Sequence, residues 1–287
     1  MSAVPALPEL KLLAIDAVRC GMEGGRMSYM EAGSGRRDSV LLLHGIGSNC
    51  TGWRYMLDGL GARFRTIAWN APGYYLSESF RDPAPSNWQY ADALAGLMDA
   101  LAIDSAHIAG SSFGSLVAAS FAARHPDRVR QLALLGASRG QKWLPAEERA
   151  RRLAMRDEAA RAGAIAMSEQ RWRILLGPQA SDTAVRLTKE VLMATHPRGL
   201  MQSARASDST DVCEFAGRIR AATLVITGGE DKVNPPEIGR AIAAAIPRSK
   251  FVELPGVGHL PKLEDPARTL ALLTPHFTAE SSTQFGD

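Results

Sequence analysis

Cysteine, long apolar runs and an excess of either charge are scarce in this chain of 287 residues. The 3 cysteines, Cys20, Cys50 and Cys213, are far apart and odd in number, which argues against a disulfide framework and a cysteine metal site. No window holds about 18 consecutive apolar residues, so we expect no transmembrane helix and no membrane partner. The net charge of +3 is too small a surplus for the basic stripe that binds nucleic acid.

The beginning of the chain does not resemble a targeting segment. Residues 1–20 contain no charged segment followed by a long apolar run, so we expect no signal peptide and a cytoplasmic protein. With 46% apolar and 22% charged residues, the chain suits one large α/β domain with an insertion. A monomer and a homodimer are equally consistent with the sequence.

Short apolar runs recur along the chain and predict strands buried on both faces of a parallel sheet. They occupy residues 40–43, 66–69, 107–109, 131–135, 223–227 and 251–254. Helical patterns separate them, at residues 53–60, 88–101, 115–124, 236–246 and 266–273. Two earlier strand candidates, 12–18 and 27–31, flank a glycine-rich turn and predict an opening antiparallel pair. The alternation predicts an α/β fold with a doubly wound, mostly parallel sheet.

One long stretch interrupts this alternation. Residues 138–211 contain no convincing strand and show several helical patterns rich in Arg, Ala, Met and Glu. So long a connection is not expected to be a plain loop. We therefore predict a helical cap, or lid, inserted after the sixth strand, with residues 1–137 and 212–287 forming the core domain.

The strongest chemical signal is a Gly-x-Ser-x-Gly motif at residues 110–114, between a predicted strand and a helix of small residues. The glycines relieve clashes in a tight turn, and the central Ser112 is expected at a helix N-terminus, where developing negative charge is favoured. Ser111 occupies the variable position and is expected to point elsewhere. The alternative is a Gly/Ser turn without chemistry, since short motifs carry false positives.

A second match to the same pattern covers residues 136–140 and also follows a predicted strand. Charged and bulky residues and then Pro145 follow it, in place of a helix of small residues. We therefore expect Ser138 to stand at the entry to the lid and not to be the nucleophile.

The loop after strand 40–43 supplies a candidate oxyanion site. Its sequence is His-Gly-Ile-Gly, and an oxyanion hole requires two N–H groups aimed at one point. We predict that these are the backbone N–H groups of Ile46 and Phe113. His44 is expected to hold the loop by hydrogen bonds.

Two loops at later strand ends supply an acid and a base. Asp231 follows strand 223–227, where the alternatives are a turn aspartate that binds local amides and a competing role for Glu230. His259 follows strand 251–254 in a loop bounded by glycine and proline. The order Ser, Asp, His is that of α/β-hydrolases, and open α/β sheets place their sites at these strand ends. The sequence therefore predicts a triad of Ser112, Asp231 and His259.

These motifs make the chain resemble the α/β-hydrolase superfamily over nearly its whole length. The matching segments are LLLHGIGSN, AWNAPGYYLS, HIAGSSFGSLVAASFAARHPDRV, LVITGGEDKVNPP and ELPGVGHLPKLEDP. The resemblance implies a serine hydrolase that needs no metal or organic cofactor, with His259 as base, Asp231 orienting it and water releasing an acyl-enzyme. Ser112, at the centre of the Gly-x-Ser-x-Gly motif, argues against haloalkane dehalogenases and many epoxide hydrolases, which have Asp at the corresponding position.

Departures from the family pattern and the composition of the cap bear on the substrate. Asn70 and Tyr75 replace an Asp and a Gly of the family's Asp-x-Pro-Gly-x-Gly-x-Ser loop, and the bulky Tyr75 is expected to narrow access to the pocket. Trp143 and Trp172 are candidates for lining an apolar pocket, although cap helices need a core in any case. An Arg-Trp pair at 171–172 and the segment 195–199 resemble the cap of β-ketoadipate enol-lactone hydrolases.

We therefore predict a hydrolase of small carboxylic esters or lactones. A C–C hydrolase of ring-cleavage products is the second interpretation, although that family often has Trp after the catalytic His, where this chain has Leu260. A non-catalytic receptor for small molecules is the third, and the intact triad residues disfavour it.

The first half of the cap is basic. Residues 139–173 carry nine Lys and Arg against five acids, which would suit a substrate that bears a carboxylate. The sequence better supports neutralisation by i,i+4 ion pairs on solvated helices. The expected pairs are Glu147–Arg151, Glu148–Arg152 and Asp157–Arg161.

Overall fold

The computed structural model describes residues 4–36 and 38–279, and across these residues one sheet of eight strands forms the centre of the molecule. The strands are β1 (Leu10–Ala14), β2 (Arg26–Ala32), β3 (Ser39–Leu43), β4 (Arg65–Trp69), β5 (Ala106–Ser111), β6 (Val129–Leu135), β7 (Ala222–Gly228) and β8 (Ser249–Leu254). Their order is β1-β2-β4-β3-β5-β6-β7-β8. β2 pairs antiparallel with both β1 and β4, and all other pairs are parallel. The predicted doubly wound, mostly parallel sheet is confirmed.

The first strand is shorter than its apolar pattern predicts. β1 ends at Ala14, and the amide of Ile15 donates to the carbonyl of Gly25 at 2.8 Å. The carboxylate of Asp16 then accepts the amides of Val18 and Arg19, both at 3.0 Å. An Asp side chain that binds amides two and three residues ahead stabilises a turn in place of a strand.

Helices connect the strands and cover both faces of the sheet. In the described residues they are α1 (Arg54–Gly61), α2 (Asn87–Ala100), α3 (Phe113–Arg124), α4 (Ala146–Ala162), α5 (Ala164–Leu175), α6 (Asp182–Met193), α7 (Pro197–Asp208), α8 (Pro236–Ala245), α9 (Pro261–Glu264) and α10 (Pro266–Thr278). The four-residue α9 has no apolar periodicity that would reveal it in the sequence. Within the part of the chain that the structure describes, no helix is both long and apolar enough to cross a membrane.

Alternate residues of β3 explain why its sequence is apolar throughout. Leu41 and Leu43 belong to a core that α2, α3 and α8 share, whereas Val40 and Leu42 belong to a second core with α1 and α10. All five residues of β3 are buried. A strand covered by helices on both faces has no position at which a polar side chain would reach water.

The helices α4 to α7 occupy the connection between β6 and β7, where the sequence predicts the cap. The two ends of this segment meet in an antiparallel bridge between Gly140 and Asp211. Arg139 reinforces it with two hydrogen bonds to the carboxylate of Asp211, at 2.7 and 2.6 Å. The segment also has an apolar cluster of its own, formed by Met167, Leu175, Leu192 and Leu200. The division into a core and a cap at residues 138–211 stays a prediction.

Candidate active site

Ser112 sits on a sharp turn between β5 and α3. Its backbone has φ 55° and ψ −121°, in the left-handed region that costs a non-glycine residue on the order of 1–3 kcal/mol. A Cβ on Gly110 would lie 2.2 Å from the carbonyl oxygen of Gly114, and a Cβ on Gly114 would lie 2.1 Å from that of Leu43. Only glycine therefore fits on either side of the turn, which explains the motif in physical terms.

The neighbouring loop approaches this serine closely. A Cβ on Gly45 would lie 2.9 Å from the Cβ of Ser112 and 3.5 Å from its Oγ. Both predicted oxyanion amides belong to residues that line the cavity around Ser112. The Phe113 amide is at the first position of α3, where an N–H has no partner within its own helix. The Ile46 amide has no hydrogen-bond acceptor among the residues that the structure describes.

His44 holds this loop in place. Its Nε2 accepts the amide hydrogen of Ala71 at 3.0 Å, so its Nδ1 carries the proton and donates to the carbonyl of Gly45 at 2.9 Å. Burial lowers the pKa of His44 to about 4, and the ring is therefore neutral at pH 7. A neutral imidazole that makes two hydrogen bonds thus fixes the loop that carries Ile46.

Asp231 and His259 form a buried pair beside the serine turn. Oδ2 of Asp231 lies 2.8 Å from Nδ1 of His259, and both side chains are almost inaccessible to solvent. The second carboxylate oxygen accepts the amides of Val233 and Asn234 at 2.8 and 2.9 Å. Because a carboxylate only accepts hydrogen bonds, the proton of the neutral ring is on Nδ1, and Nε2 is free to accept one. The competing Glu230 is exposed to solvent.

The loop of His259 is anchored from two directions. Its own amide donates to the carbonyl of Leu175, at the end of α5, at 2.8 Å. The carboxylate of Glu264 accepts three amides, from Gly177, Gly258 and Leu260, at 2.7, 2.9 and 3.1 Å. Glu264 thus ties the cap to both neighbours of His259. Sequence reasoning missed it, because its role depends on a contact with a residue 87 positions away.

Glu264→Ala is expected to lower both stability and turnover, because three backbone amides lose their acceptor and the His259 loop loses its anchor. We expect a loss of about 1–3 kcal/mol in the free energy of unfolding and a fall in kcat of about tenfold. Thermal unfolding and ester hydrolysis measure the two effects. Glu230→Ala, which removes an exposed carboxylate from the Asp231 loop, is the matched control and should change stability by less than about 0.5 kcal/mol. Equal effects of the two variants would refute the anchoring role.

Ser111 and Lys262 form a buried contact that the sequence did not predict, and Lys262 lines the same cavity as Ser112 and His259. Ser111 points away from the cavity, and its Oγ accepts a hydrogen bond from Nζ of Lys262 at 2.8 Å. The Lys262 ammonium also lies 4.9 Å from the centre of the Trp53 ring. Lys262 is only 2% exposed, and burial lowers its pKa from 10.5 to about 7.

This lysine predicts a dependence of stability on pH. Between pH 7 and pH 10.5 the unfolded chain binds a proton at Lys262 that the folded protein does not, so the free energy of unfolding should rise with pH in this window. Lys262→Met should remove that rise and stabilise the protein at pH 7 by about 1–4 kcal/mol. Thermal unfolding at pH 7 and pH 9 measures both effects. The exposed Lys232→Met is the control, and a rise that persists in Lys262→Met would exclude Lys262 as its source.

Ser138, the serine of the second motif, is differently placed from Ser112. Its amide donates to Oγ of Ser115 at 2.9 Å, and its own Oγ accepts the amide of Gly140 at 3.3 Å. The backbone of Ser112 has a positive φ, whereas that of Ser138 does not. Ser138 lines the same cavity as Ser112, which its sequence context did not predict.

Ser112 and His259 line one cleft. Its walls come from the loop that contains Gly45 and Ile46, from the helices α4 to α7, from α9, and from the loops that follow β6, β7 and β8. None of the three candidate substrate-binding aromatics lines this cleft. Tyr75 packs against the second core, Trp143 is 43% exposed, and the Trp172 ring lies between Arg173 and Lys189, at 4.6 and 5.5 Å. Tyr75 thus contacts the core and cations contact the rings of Trp143 and Trp172, while the buried Nε1 of Trp172 has no hydrogen-bond partner among the described residues.

In residues 4–36 and 38–279, no group of three or more His, Cys, Asp or Glu side chains is arranged to hold a metal ion. The reactive groups that the site presents are its serine, imidazole, carboxylate and amides. A proton acceptor, a partly exposed hydroxyl and two amides whose residues line the same cleft are the parts required for nucleophilic attack on a carbonyl.

Known proteins resemble this chain along most of its length. A pimeloyl-[acyl-carrier protein] methyl ester esterase of Chromobacterium violaceum is 29% identical, over 86% of this chain and 97% of that protein. A 2-hydroxy-6-oxononadienedioate/2-hydroxy-6-oxononatrienedioate hydrolase of Cupriavidus pinatubonensis is 27% identical, over 89% and 92%. The enol-lactonase of Burkholderia xenovorans has the same fold, with a TM-score of 0.81, 24% identity and coverage of 92% and 100%. The family model for the alpha/beta hydrolase fold matches residues 38–266, and the chain therefore belongs to the α/β-hydrolase family.

Proposed function

We propose that this protein is a serine hydrolase that cleaves a carboxylic ester or lactone of a small molecule through an acyl-enzyme on Ser112. The observation that carries the proposal is the buried contact of 2.8 Å between His259 and Asp231, in the same cleft as a serine held on a strained turn. Strain of this kind is concentrated at functional sites. A structural turn alone would not require the serine, the imidazole and the carboxylate to converge.

In the proposed mechanism, Nε2 of His259 takes the proton of Ser112 as Oγ attacks the substrate carbonyl. Asp231 keeps the proton on Nδ1 and stabilises the imidazolium that forms. The Ile46 and Phe113 amides stabilise the negative charge on the tetrahedral oxygen. The imidazolium then protonates the leaving alcohol, and His259 activates the water that releases the acid.

The name of the Chromobacterium violaceum relative supports an ester as the bond that is cleaved, because that protein is a methyl ester esterase. A second candidate function is the hydrolysis of a C–C bond in a ring-cleavage product. The name of the Cupriavidus pinatubonensis relative favours it, and at 27% identity the two relatives are similarly distant. Leu260 favours the ester, because C–C hydrolases often have Trp at the position after the catalytic His, where this chain has Leu260.

A substrate panel separates the two functions. We expect the wild type to hydrolyse short p-nitrophenyl esters or small lactones and to leave a vinylogous 1,5-diketone intact. Cleavage of the diketone without ester turnover would replace the first function with the second. A folded protein that turns over neither class would contradict both and would favour a receptor.

A further inference from the structure

The cap helices place positive charge in the catalytic cleft. Arg152 and Arg156 of α4 and Arg171 of α5 line it together with Ser112 and His259. Arg152 is neutralised by Glu148, whose carboxylate lies 2.6 Å from its Nε. Neither Arg156 nor Arg171 has a hydrogen bond or an ion pair with any residue that the structure describes. No Asp or Glu contributes to the described lining of the cleft.

These two arginines, the Arg156/Arg171 pair, lie outside the ion pairs that the sequence predicts. The pairs Glu148–Arg152 and Asp157–Arg161 form, whereas Arg151 binds Glu148 in place of Glu147. Ion pairs with residues three or four positions away thus hold Arg151, Arg152 and Arg161. Arg156 and Arg171, which line the cleft, have no such partner among the described residues.

The unpaired charge is costly for the protein to hold. Nη1 of Arg156 is inaccessible to solvent and has no acceptor among the described residues. Burial, together with the charge of Arg171, lowers the pKa of Arg156 to about 10, and burial lowers that of Arg171 as well. Both guanidinium groups remain charged at pH 7. The two side chains are half-buried, and a cation shielded from water without a counterion is costly unless a ligand supplies one.

Neutral polar atoms of the same cleft also lack partners. Oγ1 of Thr188, on α6, and Oε1 of Gln141, before α4, are both buried without a hydrogen bond in the described structure. Both residues line the cleft with the Arg156/Arg171 pair. Because most buried polar atoms are satisfied, unpaired atoms on several walls of one cavity indicate a polar ligand.

We infer that the Arg156/Arg171 pair binds a carboxylate of the substrate, so that the ester or lactone cleaved at Ser112 carries a free acid group. The part of this inference that concerns cleavage at Ser112 rests on the proposed function, whereas the binding of a carboxylate does not. A planar carboxylate matches the fork of N–H donors that a guanidinium presents, and the hydroxyl of Thr188 is a further donor on the same cleft. A bound carboxylate would supply the negative charge that the described residues do not provide to the Arg156/Arg171 pair.

Matched substrates test the inference. We would use the mono-p-nitrophenyl esters of succinate, glutarate, adipate and pimelate, each beside its methyl p-nitrophenyl diester. Members of a pair share the acyl chain and the leaving group and differ by one negative charge. The wild type should prefer the acid by at least about tenfold in kcat/KM for one chain length or more.

Arg156→Met and Arg171→Met should each lower the ratio of acid to diester kcat/KM by about 10- to 100-fold, mainly through the KM of the acid. Arg156→Lys should restore part of the ratio, since it keeps the charge and loses the fork. Arg161→Met and Arg173→Met remove the same charge from exposed positions of the same two helices and should leave the ratio unchanged. Equal losses in these controls would overturn the inference, as would a wild type that prefers the diesters.

Direct binding separates this inference from the proposed function. By calorimetry, adipate or a shorter dicarboxylate should bind the wild type and bind Arg156→Met at least about tenfold more weakly. If no ester is hydrolysed but this binding holds, the proposed function fails and the carboxylate site stands. Ester hydrolysis without acid preference and without dicarboxylate binding overturns the site alone. Inorganic phosphate that binds more tightly than the dicarboxylates would overturn the assignment to a carboxylate.

Discussion

Ser112→Ala should lower kcat/KM for p-nitrophenyl esters by on the order of 10³-fold or more. The substitution removes the only atom that can form the proposed acyl-enzyme, and the oxyanion amides cannot replace it. The fold should be unaffected, because Ser112 is partly exposed and its side chain makes no hydrogen bond within the described residues. Ester kinetics, with circular dichroism and thermal unfolding of the same samples, measure the loss and exclude misfolding.

Ser138→Ala is the matched control for this variant. It removes the central serine of the second Gly-x-Ser-x-Gly segment, which lines the same cleft but lacks the strained backbone. Its kcat/KM should remain within a few-fold of the wild type. A collapse of activity in Ser138→Ala, with Ser112→Ala active, would transfer the nucleophile to the second segment.

Asp231→Asn should lower kcat by about 10⁴-fold, as the loss of the orienting acid does in a serine protease triad. The amide oxygen of Asn can still accept the Val233 and Asn234 amides, so the loop should keep its shape. The amide NH₂ then faces Nδ1 of His259, which has to become the acceptor. The proton moves to Nε2, and the ring can no longer take the proton of Ser112. Single-turnover ester kinetics measure the effect.

Glu230→Gln tests the alternative acid in the same loop. Glu230 is exposed, and Asp231 is the carboxylate that contacts His259, so this variant should retain wild-type activity. A large loss in Glu230→Gln, with an active Asp231→Asn, would show that the acid was wrongly assigned.

Features that depend on local chain geometry could be predicted from the sequence. The turn at Ser112 is one, because only glycine fits at Gly110 and Gly114 and the required residues are adjacent in the chain. The central parallel strands are another, since β3 and β7 are buried along their whole length and have apolar runs, whereas in β8, at the edge of the sheet, only Leu254 is buried.

Features that depend on distant contacts could not be predicted. Nothing in the segment around Lys262 indicates that its ammonium is buried against Ser111, 151 residues away. The spacing of the cap helices predicts the Glu148–Arg152 pair, but it does not show that Arg156 of α4 and Arg171 of α5 line one cleft with Ser112. Trp143 and Trp172 suggested a pocket because they are large and apolar, but cations cover their rings outside the cleft, with Arg139 at 4.9 Å from the Trp143 ring.

The most direct measurement is the mass of the protein during turnover. Wild type mixed with a p-nitrophenyl ester and quenched in acid within the first turnovers should gain the mass of one acyl group, with a burst of p-nitrophenolate equal to the enzyme concentration. Peptide mapping should place that acyl group on the peptide that contains Ser112, and Ser112→Ala should gain none. Ester turnover without an acylated peptide, or acylation of the Ser138 peptide, would contradict the proposal that Ser112 forms the acyl-enzyme.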